Sequence, residues 1–205
     1  MFLALPIAMV AVFTALAASF IAIFGGVHSH HAVSASHETS TGQASIGGPF
    51  AMTDQNGRAV DQRILNGKWS AVFFGYTYCP DVCPATLQTL AAAANKLGPA
   101  AKDFQVVFVS VDPARDTPAQ LKTYLSSQAF PRQTIGLTGT PEQVARIAKA
   151  YKVYYAKSGS GSDYGMDHSA AIYLMNPKGQ FDSALSESFG PDRIAQQIAE
   201  AEEHG

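Results

Sequence analysis

Short apolar runs alternate with amphipathic stretches along most of the chain. Residues 70–76 (SAVFFGY) and 104–111 (FQVVFVSV) are predominantly apolar runs of strand length, the pattern of strands covered on both faces. Between them, residues 84–97 read as a helix ended by Gly98. Thr117-Pro118 and Thr140-Pro141 each place a capping side chain just before a first-turn proline, opening helices over 117–127 and 140–151. A short strand over 135–137 lies between these two helices. Residues 51–60 contain an Asn56-Gly57 turn between short strands, the strongest local hairpin signal. A second hairpin joins 170–175 to 181–185 through Asn176-Pro177-Lys178-Gly179, and a helix over 192–203 closes the chain. The stretch 157–167 holds three glycines and three serines, so it has little to pack and reads as a loop of many conformations in the metal-free protein.

Strand and helix alternate and a hairpin and helix follow, which predicts an α/β domain with a central mixed sheet flanked by helices. A thioredoxin-like fold fits that order. The domain is expected over 49–205, with no internal repeat. Residues 26–48 are rich in Gly, Ser, Thr and Ala and read as a flexible linker. The linker carries His28, His30, His31 and His37; a polar tether with incidental histidines is preferred over a loose metal site. Upstream, residues 2–24 carry no charge, and as a helix they would span about 34 Å, enough for a hydrocarbon core of about 30 Å. Residues 1–25 are therefore expected to be an N-terminal transmembrane helix. A cleaved signal peptide is the competing reading, since Ala15-Leu16-Ala17 has a cleavage-site form, but no positive segment precedes the run. The absence of an Arg-rich presequence favours a bacterial inner membrane over an imported organellar protein. Charge adds an exclusion: 14 Lys and Arg against 16 Asp and Glu give a net charge of −2, without the basic excess of a nucleic-acid binder.

Chemistry concentrates where the first apolar strand ends, in residues 74–84 (FGYTYCPDVCP). Loops at the carboxyl ends of strands form the ligand crevice of an α/β sheet, and the next helix presents unpaired N–H groups to it. Cys79 and Cys83 are the only cysteines, four positions apart, so both sulfurs can share one face of a winding chain. They can hold a metal ion or form a local disulfide; three intervening residues instead of two weaken the disulfide-exchange reading. Two thiolates leave a metal under-coordinated. His168, before the strand AAIYLM and beside Asp167, is the candidate third ligand, with Asp167 placed to orient the imidazole. Two thiolates and an imidazole suit copper, with zinc the main competitor. Asp112, Arg115 and Asp116 read as a solvated or mutually paired turn, and Tyr76 and Tyr78 as packing or partner-contact residues.

The segments GYTYCPDVCPATL (75–87), FVSVDPARDTPAQL (108–121), GLTGT (136–140) and DHSAAIYLMNPKGQF (167–181) together resemble the Sco/SenC family of membrane-anchored copper proteins. The resemblance covers essentially the whole domain. It implies a thioredoxin-like fold in which Cys79, Cys83 and His168 hold one copper, as Cu(I) or Cu(II). It further implies a metallochaperone, rather than an enzyme, that assists assembly of the CuA centre of cytochrome c oxidase. The expected partners are a copper donor chaperone and oxidase subunit II or a similar copper acceptor. The domain is then expected to face the periplasm from a single-pass anchor in a bacterial inner membrane. Two alternatives stand beside this: a membrane-tethered thiol:disulfide oxidoreductase that reduces the cysteines of the oxidase copper site, and a copper or redox sensor. An Asn stands at 176 where family members often have Asp, and the His-rich linker is not a general family feature.

Overall fold

The computed structural model describes residues 46–204. The expected membrane helix over 1–25, and the linker up to residue 45 with its four histidines, lie outside the described residues; the last expected linker residues, 46–48, instead join the domain, Ile46 packing on the core and the Gly47 amide donating to the Ala150 carbonyl at 3.0 Å. Among the described residues, no helix is long and apolar enough to cross a membrane.

A seven-stranded sheet organises the domain, built from β1 (Ala51–Asp54), β2 (Ala59–Asp61), β3 (Trp69–Gly75), β4 (Phe104–Ser110), β5 (Thr134–Thr138), β8 (Ile172–Met175) and β9 (Phe181–Leu185). Its order is β2-β1-β5-β4-β3-β8-β9. The three central strands are parallel, whereas β1 joins β5, and β8 joins β3, in antiparallel fashion. Every residue of β3 and β4 is buried, as their mostly apolar runs require, with Ser70, Gln105 and Ser110 as buried polar exceptions. Helices α1 (Val82–Lys96) and α2 (Pro118–Leu125) make the crossovers from β3 to β4 and from β4 to β5. Helix α3 (Pro141–Ala150) starts on the cap expected at Thr140, which Gln143 completes as a capping box, and α4 (Gly190–His204) packs beside α1. A mixed sheet with flanking helices is thus the architecture, with Phe73, Phe74, Phe108, Leu137 and Ile172 at the centre of the core.

Three sequence expectations change. Helix α1 begins at Val82 instead of Pro84, which puts Cys83 inside its first turn. The stretch read as a mobile loop instead contains a hairpin: β6 (Tyr155–Ser158) pairs with β7 (Gly165–His168) in a separate two-stranded sheet. Gly159 and Gly161 have φ of +84° and +80°, so the glycines serve the turn between these strands. The strand expected from Ala170 starts at Ile172, leaving Ser169, Ala170 and Ala171 as the connection out of the hairpin.

Register places the functional loops. Gly75 pairs with Ser110 and Phe73 with Ile172. The chain leaving β3, the chain leaving β4 and the chain entering β8 therefore emerge side by side at one edge of the sheet.

Candidate metal centre at the end of the central strands

Cys79 lies in the loop between β3 and α1, and Cys83 is the second residue of α1. Asp81, at the N-cap, makes no side-chain capping bond; the Cys83 amide instead donates to Cys79 Sγ at 3.3 Å. Sulfur thus takes the capping role, at the end of the helix where the dipole favours negative charge. Pro84 is tolerated in the first turn because its missing N–H has no intrahelical partner to lose. Both cysteines are free thiols; Cys79 is half-buried and Cys83 fully buried. Burial, then the hydrogen bond with Cys79, pushes the Cys83 thiol well above its ordinary value, so it stays protonated until something replaces the proton.

The β6–β7 hairpin brings His168 to the same place. Its Nε2 lies 3.8 Å from Cys83 Sγ, and its Nδ1 lies 3.1 Å from the Ser169 carbonyl. An Nδ1–H donating to that carbonyl leaves the Nε2 lone pair facing the sulfur, an assignment made from the hydrogen bond. Phe73 and Tyr76 meet the imidazole edge-on, at 6.5 and 6.0 Å between centroids. A metal about 2.3 Å from a thiolate and about 2.0 Å from an imidazole holds S and N about 3.7 Å apart at a trigonal angle, so the observed separation fits a shared ion. Cys79 and His168 line a cavity of about 380 Å³ together with Tyr76, Val82 and Met166, and Cys83 lies beneath it. Among the described residues, no three or more His, Cys, Asp or Glu side chains are grouped closely enough to hold a metal ion as they stand. A larger cleft of about 780 Å³, lined by Gln88, Lys102, Arg132 and Gln133 among others, holds neither Cys nor His.

Asp167 does not orient the imidazole as the sequence suggested. Neighbouring residues of a strand face opposite ways, so Asp167 is exposed while His168 turns inward, and the Ser169 carbonyl takes the orienting role. The turn after β4 is mutually paired, as expected, but buried rather than solvated: Asp112 and Asp116 are 3% and 0% exposed. Asp116 accepts from the Thr77 amide and hydroxyl at 3.0 and 2.7 Å and from the Ser110 hydroxyl at 2.6 Å. Burial pushes its carboxyl up, against the pull of those hydrogen bonds. Thr77, Ser110, Tyr164 and Ser169 were not singled out from the sequence; Thr77 and Tyr164 act through contacts 39 and 52 residues away along the chain, and Ser110 and Ser169 through local bonds that no motif signals.

A profile of the SCO1/SenC family matches residues 38–203. The chain is 45% identical over 144 residues to "Protein SCO1 homolog 1, mitochondrial" of Arabidopsis thaliana, covering 69% of this chain and 42% of that protein. It is 40% identical over 161 residues to "Protein SenC" of Rhodobacter capsulatus, covering 78% of this chain and 72% of that one. The structure of Bradyrhizobium japonicum ScoI with copper bound superposes with a TM-score of 0.69 at 44% identity, over 76% of this chain and 98% of that one. The chain thus spans less than half the length of the Arabidopsis relative and nearly all of the bacterial copper-bound structure. With its thioredoxin-like domain matched from end to end, this protein belongs to the SCO1/SenC family.

Proposed function

We propose that this chain is a membrane-anchored copper metallochaperone that carries one copper between Cys79, Cys83 and His168 and passes it to the CuA centre of cytochrome c oxidase. The observation that carries the reading is His168 Nε2 facing the Cys83 sulfur at 3.8 Å, with the Cys79 sulfur accepting from the Cys83 amide at 3.3 Å. Copper is the cargo. Loading expels the Cys83 proton, because the thiolate is the ligand. Half-buried Cys79 is the outer donor, the first that an acceptor presenting its own thiolates can replace by ligand exchange. Tyr78 and Val82, 54% and 40% exposed, give the mouth of the site an apolar rim suited to a protein partner. The uncharged run over 2–24 is the proposed single-pass anchor, with the domain in the periplasm of a bacterial inner membrane and residues 26–48 as its tether.

The competing reading, a thiol:disulfide oxidoreductase acting on the acceptor's cysteines, uses the same two sulfurs but needs no imidazole ligand. Deleting the gene should lower cytochrome c oxidase activity, and added copper should restore it. Complementation by His168→Ala separates the readings, since this variant keeps the thiol pair. Failure of His168→Ala to restore oxidase activity supports copper carriage; full restoration would transfer the role to the thiols.

A further inference from the structure

The hairpin that carries His168 forms its own two-stranded sheet, so no ladder of backbone hydrogen bonds fixes its angle to the cysteine loop. At its base, the Ser169 amide donates to the Tyr154 carbonyl at 3.0 Å and the Tyr154 amide donates to Ser169 Oγ at 3.1 Å. A hairpin of this kind is marginal by itself in water, so its position must come from side chains.

The Tyr76 hydroxyl, just after β3, meets the Met166 backbone, and Tyr155 and Met166 pack on the core; the remaining side-chain contacts converge on one turn. The Tyr164 hydroxyl, in the hairpin, donates to Asp112 Oδ1 at 2.7 Å, and Arg115 Nε donates to Asp112 Oδ2 at 2.5 Å. The Arg115 guanidinium lies 3.6 Å from the Tyr164 ring centroid and 4.7 Å from that of Tyr78, the residue before Cys79. Arg115 Nη2 is buried without a hydrogen-bond partner; contact with these rings is what holds that end of the guanidinium. A few residues on, Asp116 grips the Thr77 amide and hydroxyl, two positions before Cys79. One end of the turn therefore holds the hairpin, and the other holds the cysteine loop.

We propose that the turn from Asp112 to Asp116 sets the spacing between His168 and the two cysteines, and that Tyr164, clasped by Asp112 and Arg115, is the positioning residue that locks the hairpin. The lock explains why a tyrosine stands in an otherwise Gly and Ser-rich stretch. It also gives the acidic and basic residues of the VDPARD segment a task that involves no contact with the metal. Only the copper readout below rests on the copper reading of the site.

The test uses the full-length protein with Tyr164→Ala and Tyr164→Phe, and with Ser160→Ala as a control in the same hairpin. In the metal-free protein, Tyr164→Ala should speed amide exchange over 155–168 by about 10-fold or more, leaving β3 and β4 unchanged. Tyr164→Phe keeps the stacked ring and should fall between, and Ser160→Ala should match the wild type. Copper affinity should then drop by about 10- to 100-fold in Tyr164→Ala, the range seen when partners that orient a ligand are removed. A residue that acts through His168 has nothing left to position in its absence, so Tyr164→Ala should have no further effect in a His168→Ala background. Unchanged exchange in Tyr164→Ala, or an equal loss of affinity with and without His168, would overturn the lock. If the wild type binds no copper, the copper reading fails, and the exchange comparison alone decides the lock.

Discussion

Gly75 ends β3 directly over the site, and the space at this position tests whether fold and site are built as one piece. A Cβ placed there would lie 2.9 Å from Cys83 Sγ, 2.9 Å from Phe108 Cε2 and 3.2 Å from Phe108 Cζ. Ordinary contacts run from about 3.4 to 4 Å, so both neighbours must retreat by about half an ångström. Neither has room, because Cys83 and Phe108 are both 0% exposed, one in the first turn of α1 and the other in the middle of β4. Forced overpacking of this kind costs about 1–3 kcal/mol. Gly75 does not have a positive φ, so alanine also restricts the unfolded chain and returns about 0.4–1 kcal/mol. Taking the middle of each range, about 2 less about 0.7, Gly75→Ala should therefore destabilise by about 1.3 kcal/mol net, a fall in Tm of about 3–5 °C for a domain of this size. Thermal and urea unfolding measure it. Adding Cys83→Ala removes the sulfur clash and should make the Gly75→Ala step less costly than it is in the wild type. A Gly75→Ala protein as stable as the wild type, or more so, would refute the close packing of β3 on the Cys83 sulfur.

Other measurements probe the frame. Asp54, 2% exposed, accepts from the Asn56 and Arg58 amides at 2.8 and 2.9 Å and pairs with the Arg58 guanidinium at 2.8 Å. Burial alone would raise its pKa, but those bonds hold it below the ordinary 3.8. With the folded value the lower one, its contribution is complete above the unfolded pKa and is lost as pH falls through the folded one. Asp54→Asn should thus cost about 1–2 kcal/mol at pH 7 and progressively less below about pH 4 in urea titrations, whereas a cost independent of pH would contradict the argument. Thr140→Ala removes the hydroxyl that accepts from the Gln143 amide at 3.3 Å and should lower stability by about 1 kcal/mol, read from the urea midpoint at constant m. An unchanged midpoint would mean that α3 does not depend on its capping box.

The central strands, the helices and the cysteine pair at the start of α1 were legible because each has a local signature. Phe73 and Phe108 lie in predominantly apolar runs, Thr140-Pro141 is a helix start, and two cysteines four apart beside prolines are an unusual pair. The β6–β7 hairpin was not legible. Its strands, YAKS and GMDH, are short and polar, and the Gly and Ser between them describe the turn and say nothing of the pairing. The partner of His168 was misread for a related reason: proximity in sequence favoured Asp167, but strand geometry turns adjacent side chains apart. Asp112 and Asp116 read as surface charges because their partners Tyr164 and Thr77 are 52 and 39 residues away along the chain.

The proposed centre is one ion held by two sulfurs and one imidazole. Copper K-edge absorption of the full-length, copper-loaded protein, compared with His168→Ala and with the Cys79→Ser/Cys83→Ser pair, tests it directly. The wild type should bind about one equivalent, with two sulfur neighbours at about 2.3 Å and one nitrogen at about 2.0 Å. His168→Ala should lose the nitrogen alone, and the double serine variant should lose tight binding altogether. A wild-type spectrum unchanged by His168→Ala, or full copper retention without the two sulfurs, would contradict the site described here.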